Sequence, residues 1–300
     1  MANLSKGWNR RGALGALAFG AWTGAGAATQ PSVTLLRLRV PVEGEAAELA
    51  ALSGELPLHL FLPSGAGPHP VAVLHHERRF FTGEFPHYPA MTDALLARGW
   101  AVAVPLRMGY GMLSGAGDRE GLNCRRPTPG RVFLATTAQT AAVLEGLSAH
   151  GAPIDRARVL HVGVGVGGFA ALSAAHFSPQ GVVGAINFGG GVGAYPERLP
   201  GEPCGVKETK RLALSLGRAA ANRAQPLPTL WLYAENDQHF ALRHAEDWFR
   251  AYWQGGGRGT LHRLPPWGDD GNRLMAEGRE RWQPLLDDYL QDLPGPTRQG

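Results

Sequence analysis

The chain has 300 residues, of which 44% are hydrophobic and 18% charged, with 42 glycines and 23 prolines. That apolar content is enough for one sizeable core and excludes a disordered chain, so the glycines and prolines read as tight turns and close backbone approaches. Three of the 29 basic residues and none of the 25 acidic ones fall in residues 1–27, so beyond that stretch the chain is close to neutral and gives no support for nucleic-acid binding.

Residues 1–27 have the pattern of an export signal. Lys6, Arg10 and Arg11 precede the apolar run Ala13 to Trp22, and Ala25-Gly26-Ala27 offers a small-residue cleavage site. Asn9-Arg10-Arg11-Gly12 also resembles a twin-arginine signal. The run is too short and glycine-rich to span a bilayer well, and no cysteine follows it to carry a lipid. The mature chain, residues 28–300, is therefore expected to be one periplasmic or secreted domain without a membrane anchor. Cys124 and Cys204 are the two cysteines, the minimum for one disulfide in an oxidising compartment. The sequence leaves open whether they meet.

Alternation over Val33 to Val40 and Leu56 to Leu62 predicts two strands in an antiparallel start. Val71-Ala72-Val73-Leu74 is a continuous apolar run, as in a strand buried on both faces, and it ends in His75-His76-Glu77-Arg78-Arg79. A helix over Pro89 to Arg98, stopped by Gly99, leads to a buried strand Trp100 to Pro105 and a glycine-rich loop Arg107 to Gly115. A long helix over Arg131 to Ser148 and a strand Val159 to Val162 follow. Gly163-Val164-Gly165-Val166-Gly167-Gly168 then turns into an Ala-rich helix, Gly167 to Phe177, and a buried strand Val182 to Phe188. Residues Gly189 to Arg223 hold no strong strand and one helix around Lys207 to Ala221. The remainder reads as a strand Pro228 to Tyr233, a helix Ala241 to Tyr252, a strand Thr260 to Leu264 and a terminal helix around Arg273 to Leu290. Strands alternating with helices argue for one doubly wound α/β domain with a mainly parallel sheet and antiparallel N-terminal strands.

Four segments carry a family resemblance: Val71 to His76; Val102 to Gly115 with Arg107-Met108-Gly109-Tyr110-Gly111; Arg158 to Ala171; and Trp231 to Leu274, with Tyr233-Ala234-Glu235-Asn236-Asp237 and Pro265-Pro266-Trp267-Gly268-Asp269-Asp270-Gly271-Asn272. In this order and spacing the chain resembles a secreted member of the dienelactone-hydrolase-like branch of the α/β-hydrolases over residues 33–292. The resemblance implies an α/β-hydrolase fold and a Ser, Asp, His triad, the serine at the apex of a strand-turn-helix elbow. Those positions fall on Gly165, Asp237 and Asn272. Glycine cannot form an acyl intermediate, and asparagine cannot exchange a proton near neutral pH, so only the acid remains. The resemblance also puts the oxyanion-hole donors on the backbone at Val166 and at His76, where relatives carry His-Gly against His75-His76 here. A side chain at 76 is expected to reshape the pocket floor.

Replacement groups are few. Ser173 lies inside the following helix and is expected to point into packing, and Ser114 reads as a turn serine. His239 sits two residues past Asp237 and lacks an obvious hydroxyl partner. His75, His76, Asp237, His239, Asp269 and Asp270 could gather at the carboxyl ends of the strands, but no fixed metal motif is present, so neither a metal nor another cofactor is expected. His161 reads as a core histidine satisfied by backbone. Phe80, Phe81, Phe85, Tyr88, Tyr110 and Trp267 flank the site loops, as pocket walls or ordinary loop anchors, and His75, Tyr110, His239 and Trp267 are the expected pocket side chains. Two functions follow: a pseudo-hydrolase that binds a small molecule or a protein in the retained cleft, or an ester or lactone hydrolase with relocated or metal-assisted groups.

Overall fold

The computed structural model describes residues 34–42, 54–78, 85–110, 124, 129–178 and 180–293. The export-signal reading of residues 1–27, Ser114, Phe80 and Phe81 lie outside the described residues.

Among the described residues, eight strands form one sheet: β1 (Thr34–Val42), β2 (Gly54–Leu62), β3 (His69–His75), β4 (Ala101–Pro105), β5 (Ile154–Val164), β6 (Val182–Phe188), β7 (Pro228–Ala234) and β8 (Arg258–Leu264). Their order is β1-β2-β4-β3-β5-β6-β7-β8. β1 and β2, and β2 and β4, run antiparallel, and every other neighbouring pair is parallel. The α/β class with antiparallel N-terminal strands is thus as the sequence predicted. The order also locates the site. After β3 the chain winds to one side through β4, and from β5 it winds to the other, so β3 and β5 are adjacent strands whose connections part. The carboxyl ends at such a switch point leave a crevice between the departing loops.

Seven α-helices cover the described sheet: α1 (Pro89–Leu96), α2 (Pro129–Ala149), α3 (Val166–Phe177), α4 (Val206–Ala221), α5 (Leu242–Gln254), α6 (Leu274–Glu277) and α7 (Arg279–Gln291). Strand alternation sorts the core into two layers. Val71, Val73, Val159, Ala185, Trp231 and Tyr233 pack beneath α2, α3 and α5, while Leu74, Val102, Val162, Ile186 and Leu232 face α1, α6 and α7. Helix α3 is buried along its length except at its last residue, Phe177, and small side chains at Ala170, Ala171, Ala174 and Ala175 let it lie close to the sheet. Phe169 meets Trp231 and Trp248 edge-on, with ring centroids 5.7 Å apart in both pairs.

Most boundaries shift by a residue or two, and two differences from the sequence reading are larger. β5 starts at Ile154 rather than Val159, because His69 and Pro70 of β3 already pair with Ile154 and Asp155 before an irregularity in register. The terminal helix is broken at Gly278, where the Gly278 N–H donates to the Leu274 carbonyl at 2.8 Å and the Trp282 indole N–H donates to the same oxygen at 3.1 Å. A Cβ at 278 would stand 2.7 Å from Leu274 Cδ1 and 3.0 Å from the Leu274 carbonyl oxygen, so a larger residue there would push Leu274 aside. This break, with a 3-10 turn over Gly271–Arg273, seats Asn272 at the carboxyl edge of the sheet.

Cys124 and Cys204 form a disulfide with Cα atoms 5.4 Å apart, spanning 80 residues. A loop that long makes the cross-link worth about 4 kcal/mol in the chain-entropy account.

The tightest packing is under α3. A Cβ at Gly163 would collide with the Gly167 carbonyl, and one at Gly167 with the His75 carbonyl. Gly163→Ala is therefore expected to lower unfolding free energy by roughly 3 kcal/mol or more. Gly130→Ala, whose new methyl meets nothing within 4 Å, is expected to be neutral or to gain up to about 1 kcal/mol. Urea denaturation of the two variants checks the contrast.

Candidate functional site

Gly165 sits between β5 and α3 with φ 58° and ψ −128°, a backbone conformation that side-chain-bearing residues rarely adopt. Its N–H donates to the Phe188 carbonyl at 3.1 Å, and its carbonyl accepts from Gly168 at 2.9 Å and Gly191 at 3.1 Å. The turn is thus held by backbone bonds on both sides and makes a sharp strand-to-helix elbow with no side chain at its apex. A Cβ placed there would meet only Glu77, at 3.3 Å from its Cβ and 3.8 Å from its Cα.

Asp237 and Asn272 come together beside this apex although they lie in different loops, after β7 and β8. Asp237 Oδ1 accepts from the backbone N–H groups of His239 and Phe240, both at 2.8 Å. Its Oδ2 accepts from Asn272 Nδ2 at 3.1 Å, and the same nitrogen donates to the Gly189 carbonyl at 3.1 Å. Asp237 is 3% exposed and Asn272 6%. Burial pushes the Asp237 carboxyl up to about 6, against the pull of the Phe240 N–H, the Asn272 amide and the His239 N–H, which stabilise the carboxylate. The amide is therefore oriented by the acid, and it carries no proton that can be exchanged near neutral pH.

Asp270 organises the other wall. Its Oδ1 accepts from Gln238 N–H at 3.0 Å and Asn272 N–H at 2.9 Å, and its Oδ2 stands 3.4 Å from His239 Nε2. Burial works against charging His239. The bond to Asp270 and the charges of Asp237, Asp270 and Glu77 outweigh it and raise the imidazole pKa. His239 thus takes Asp270 as its side-chain partner; of Asp237's oxygens, one accepts its backbone N–H and the other the Asn272 amide.

A cavity of about 180 Å³ opens above the apex, lined by Gly165, Val166, His239 and Asn272 together with Glu77, Arg78, Ala194, Pro196, Glu197 and Phe240. Four of the sequence-predicted positions therefore line one space, with Asp237 directly behind it. Three expected pocket side chains go elsewhere. His75 is buried in the sheet, its Nε2 3.2 Å from His161 Nδ1, because the alternation of β3 turns it under α3. Tyr110 is fully buried beneath Arg107, whose guanidinium carbon lies 4.8 Å from its ring centre. Trp267 is held by a backbone bond to Asn236 Oδ1 at 2.9 Å and packs on the α1 and α7 layer.

His76 does not form the pocket floor either. Its ring is buried, with Nε2 accepting the Arg107 N–H at 3.1 Å and Nδ1 2.7 Å from the Glu77 carbonyl. The next N–H along, that of Glu77, donates to the Tyr88 hydroxyl at 3.2 Å. Val166 opens α3, where the first N–H groups have no intrahelical acceptor. His161 is satisfied on one nitrogen by His75 rather than by backbone, and Ser173 is fully buried inside α3, away from the cavity. Among the described residues no group of three or more His, Cys, Asp or Glu is placed to hold a metal ion.

Sequence reading missed Arg78, Pro196, Glu197, Phe240 and Glu77 as lining residues. Glu77 and Arg78 directly follow β3 at the switch point, a signal that could have found them. Pro196 and Glu197 carry no such signal. They arrive through the chain's return after β6, tied by the Arg78 guanidinium bond to the Ala194 carbonyl at 2.8 Å and by Cys204 N–H to Gly193 at 2.9 Å.

No family model and no curated protein matches the sequence. Solved structures do. A Pyrococcus horikoshii acylaminoacyl peptidase superposes with a TM-score of 0.64 at 14% identity, covering 91% of this chain, which spans 43% of the peptidase. A candidate dienelactone hydrolase from Klebsiella pneumoniae gives 0.57 at 19% identity, covering 87% of this chain and 99% of its own. A cold-adapted esterase from an Arctic intertidal metagenome gives 0.57 at 17% identity, covering 89% and 98%. The architecture is the α/β-hydrolase fold.

Beneath α3, burial lowers the pKa of His75, and takes His161 and His176 down to about 3 from 6.5. The unfolded chain then binds protons that the folded one refuses, so stability is full above pH 6.5 and is lost as pH falls from there towards 3. Asp237 acts in the opposite sense, costing stability as pH rises from 3.8 to about 6, but it is one group against three. His176→Phe is expected to flatten the decline by about 1.4 kcal/mol per pH unit between about pH 4 and 6. Denaturant titrations at several pH values read that slope separately from any offset.

Proposed function

We propose that this is an exported protein of the dienelactone-hydrolase-like type that no longer performs serine-type ester hydrolysis and uses the retained cavity to bind a small ligand. The observation that carries the reading is the apex at Gly165 facing an Asn272 whose amide is bound to Asp237. In a working triad a hydroxyl attacks the acyl carbon while an imidazole takes its proton and a carboxylate fixes the imidazole. Here the carboxylate and its orienting bonds remain, and both atoms that would exchange the proton are missing. Export is supported by the pattern of residues 1–27 and by the disulfide, which is consistent with an extracellular location.

The second reading, relocated chemistry, draws on the His239–Asp270 pair at the cavity wall. In that reading His239 acts as a base on water, with no covalent intermediate.

Purified mature protein is expected to leave p-nitrophenyl acetate at the background rate. Gly165→Ser with Asn272→His is expected to raise turnover by about a hundredfold or more, and Gly165→Ser alone far less, because triad members act as a unit. Wild-type turnover on the order of 1 s⁻¹ or faster, abolished by His239→Ala, would replace the first reading with the second.

A further inference from the structure

We infer that the protein pairs with a second copy of itself through the open edge of β8, the two sheets joining antiparallel about Leu261 and the two α5 helices closing over the seam. This pairing is independent of the cavity's chemistry. The Glu235 N–H donates to the Leu264 carbonyl at 3.0 Å, so Leu264 turns its peptide groups towards β7. β8 follows β7 in unbroken parallel register from Arg258 to Leu264, so strand alternation turns Gly259, Leu261 and Arg263 the other way. Their N–H and C=O groups have no hydrogen-bond partner among the described residues. Proteins normally blunt such an edge with proline, a bulge or charge. β1, at the opposite edge, carries Pro41 with Arg37 and Arg39. β8 holds neither proline nor bulge, and its Arg263 is paired with Glu246 at 2.9 Å.

Beside that edge runs a groove of about 470 Å³, larger than the cavity at the elbow. One wall is α5, where Glu246, Phe249, Arg250 and Trp253 recur at helical spacing on one face. The other wall is the face of β8 that carries Leu261. Phe249 is half-buried, its ring centre 5.4 Å from that of Trp231 in β7, whereas Trp253 is 56% exposed. The charged groups of the groove are paired within the chain, Arg263 with Glu246 and Arg250 with Asp247 at 3.4 Å.

A second copy satisfies the edge and the groove together. A two-fold axis through Leu261 sets it against the partner's Leu261, and Gly259 against the partner's Arg263, each pair exchanging N–H···O bonds. On the other face Arg258 meets the partner's Leu264 and Thr260 the partner's His262, so no like charges stand opposite each other. Sliding the copies towards Leu264 brings Pro265, which has no N–H, into the ladder. The axis is also level with the middle of the α5 stripe. Arg263 reaches Glu246, and the stretch of strand from Arg263 back to Leu261 matches about one helical turn, from Glu246 to Arg250. α5 sits astride β7 and β8, through Phe249 on Trp231 and Glu246 on Arg263. Its symmetry mate therefore lies about two strand spacings away, roughly 10 Å, the usual separation of packed helices. Trp253 then covers the partner's half of the groove, opposite the partner's Glu246, and the two cavities open at opposite ends of the joined sheet.

The test is sedimentation velocity of the mature protein over a range of concentrations, with hydrogen exchange at the β8 amides. The expected result is a dimer in which the amides of Gly259, Leu261 and Arg263 exchange more slowly as protein concentration rises. Arg263→Pro removes an N–H that no bond within the chain uses and is expected to give a folded monomer. Trp253→Glu, at an exposed site, is expected to raise the dimer dissociation constant about tenfold or more, and it decides the matter should Arg263→Pro not fold. Leu134→Ser, an exposed apolar side chain on α2, which packs beside β1 at the far edge, is expected to leave the dimer unchanged. A monomer at every concentration, which would leave the edge to a strand of another protein, would overturn the inference, as would a dimer that the substitutions at 253 and 263 leave intact.

Discussion

The approach of helix α3 to the ends of β3 and β5 is the constraint on which the rest of the molecule depends. The backbone at 163 and 167 passes so near neighbouring carbonyls that no side chain fits, and Gly168 sits directly over the Asn187 side chain. Close packing of this kind forces the chain to reverse within one residue, and that residue is Gly165. The helix that starts there carries Phe169 into the cluster of Trp231 and Trp248, which anchors the layer. The elbow is thus a consequence of how the core is packed. The packing at 163 and 167 requires the turn whatever chemistry its apex carries.

A second constraint is electrostatic. Asp237 is buried and would be costly to ionise alone. Two backbone N–H groups and the Asn272 amide offset that cost, and the same amide ties the loop after β8 to the turn after β6 through Gly189. The amide supplies this mechanical link and has no proton to exchange near neutral pH. Between α3 and the sheet the polar groups His75, His161, Asn187 and Tyr233, with His176 of α3 itself, are buried, and Tyr233 is bonded to Asn187 and to the Gly190 carbonyl. These groups specify how helix and sheet meet, and they make the fold sensitive to acid.

The strands and helices were largely legible because their signals are local. Apolar runs such as Val71 to Leu74 and Val182 to Phe188 can be buried on both faces only inside a parallel sheet. The terminal helix was read as continuous because the stop at Gly278 depends on Leu274 and Trp282 folding back on it, which periodicity does not reveal. The site was legible along the chain and misread across it. The resemblance singled out Gly165, Asp237 and Asn272, and the fold brings the three together. His75 and Tyr110 stood near the right strand ends, yet strand alternation and the stacking of Arg107 turned them inwards.

By itself the sequence determined that the chain alternates strand and helix, that a glycine stands in the turn between β5 and α3, and that residue 272 is an amide. Each follows from residue identity, which no packing can alter. Tertiary structure alone decided that Asn272 presents an acceptor rather than a donor, that Asp270 rather than Asp237 is the side-chain partner of His239, and that Glu197 reaches the rim. Those outcomes depend on which loops converge at the switch point and on which hydrogen-bonding atoms are already committed there.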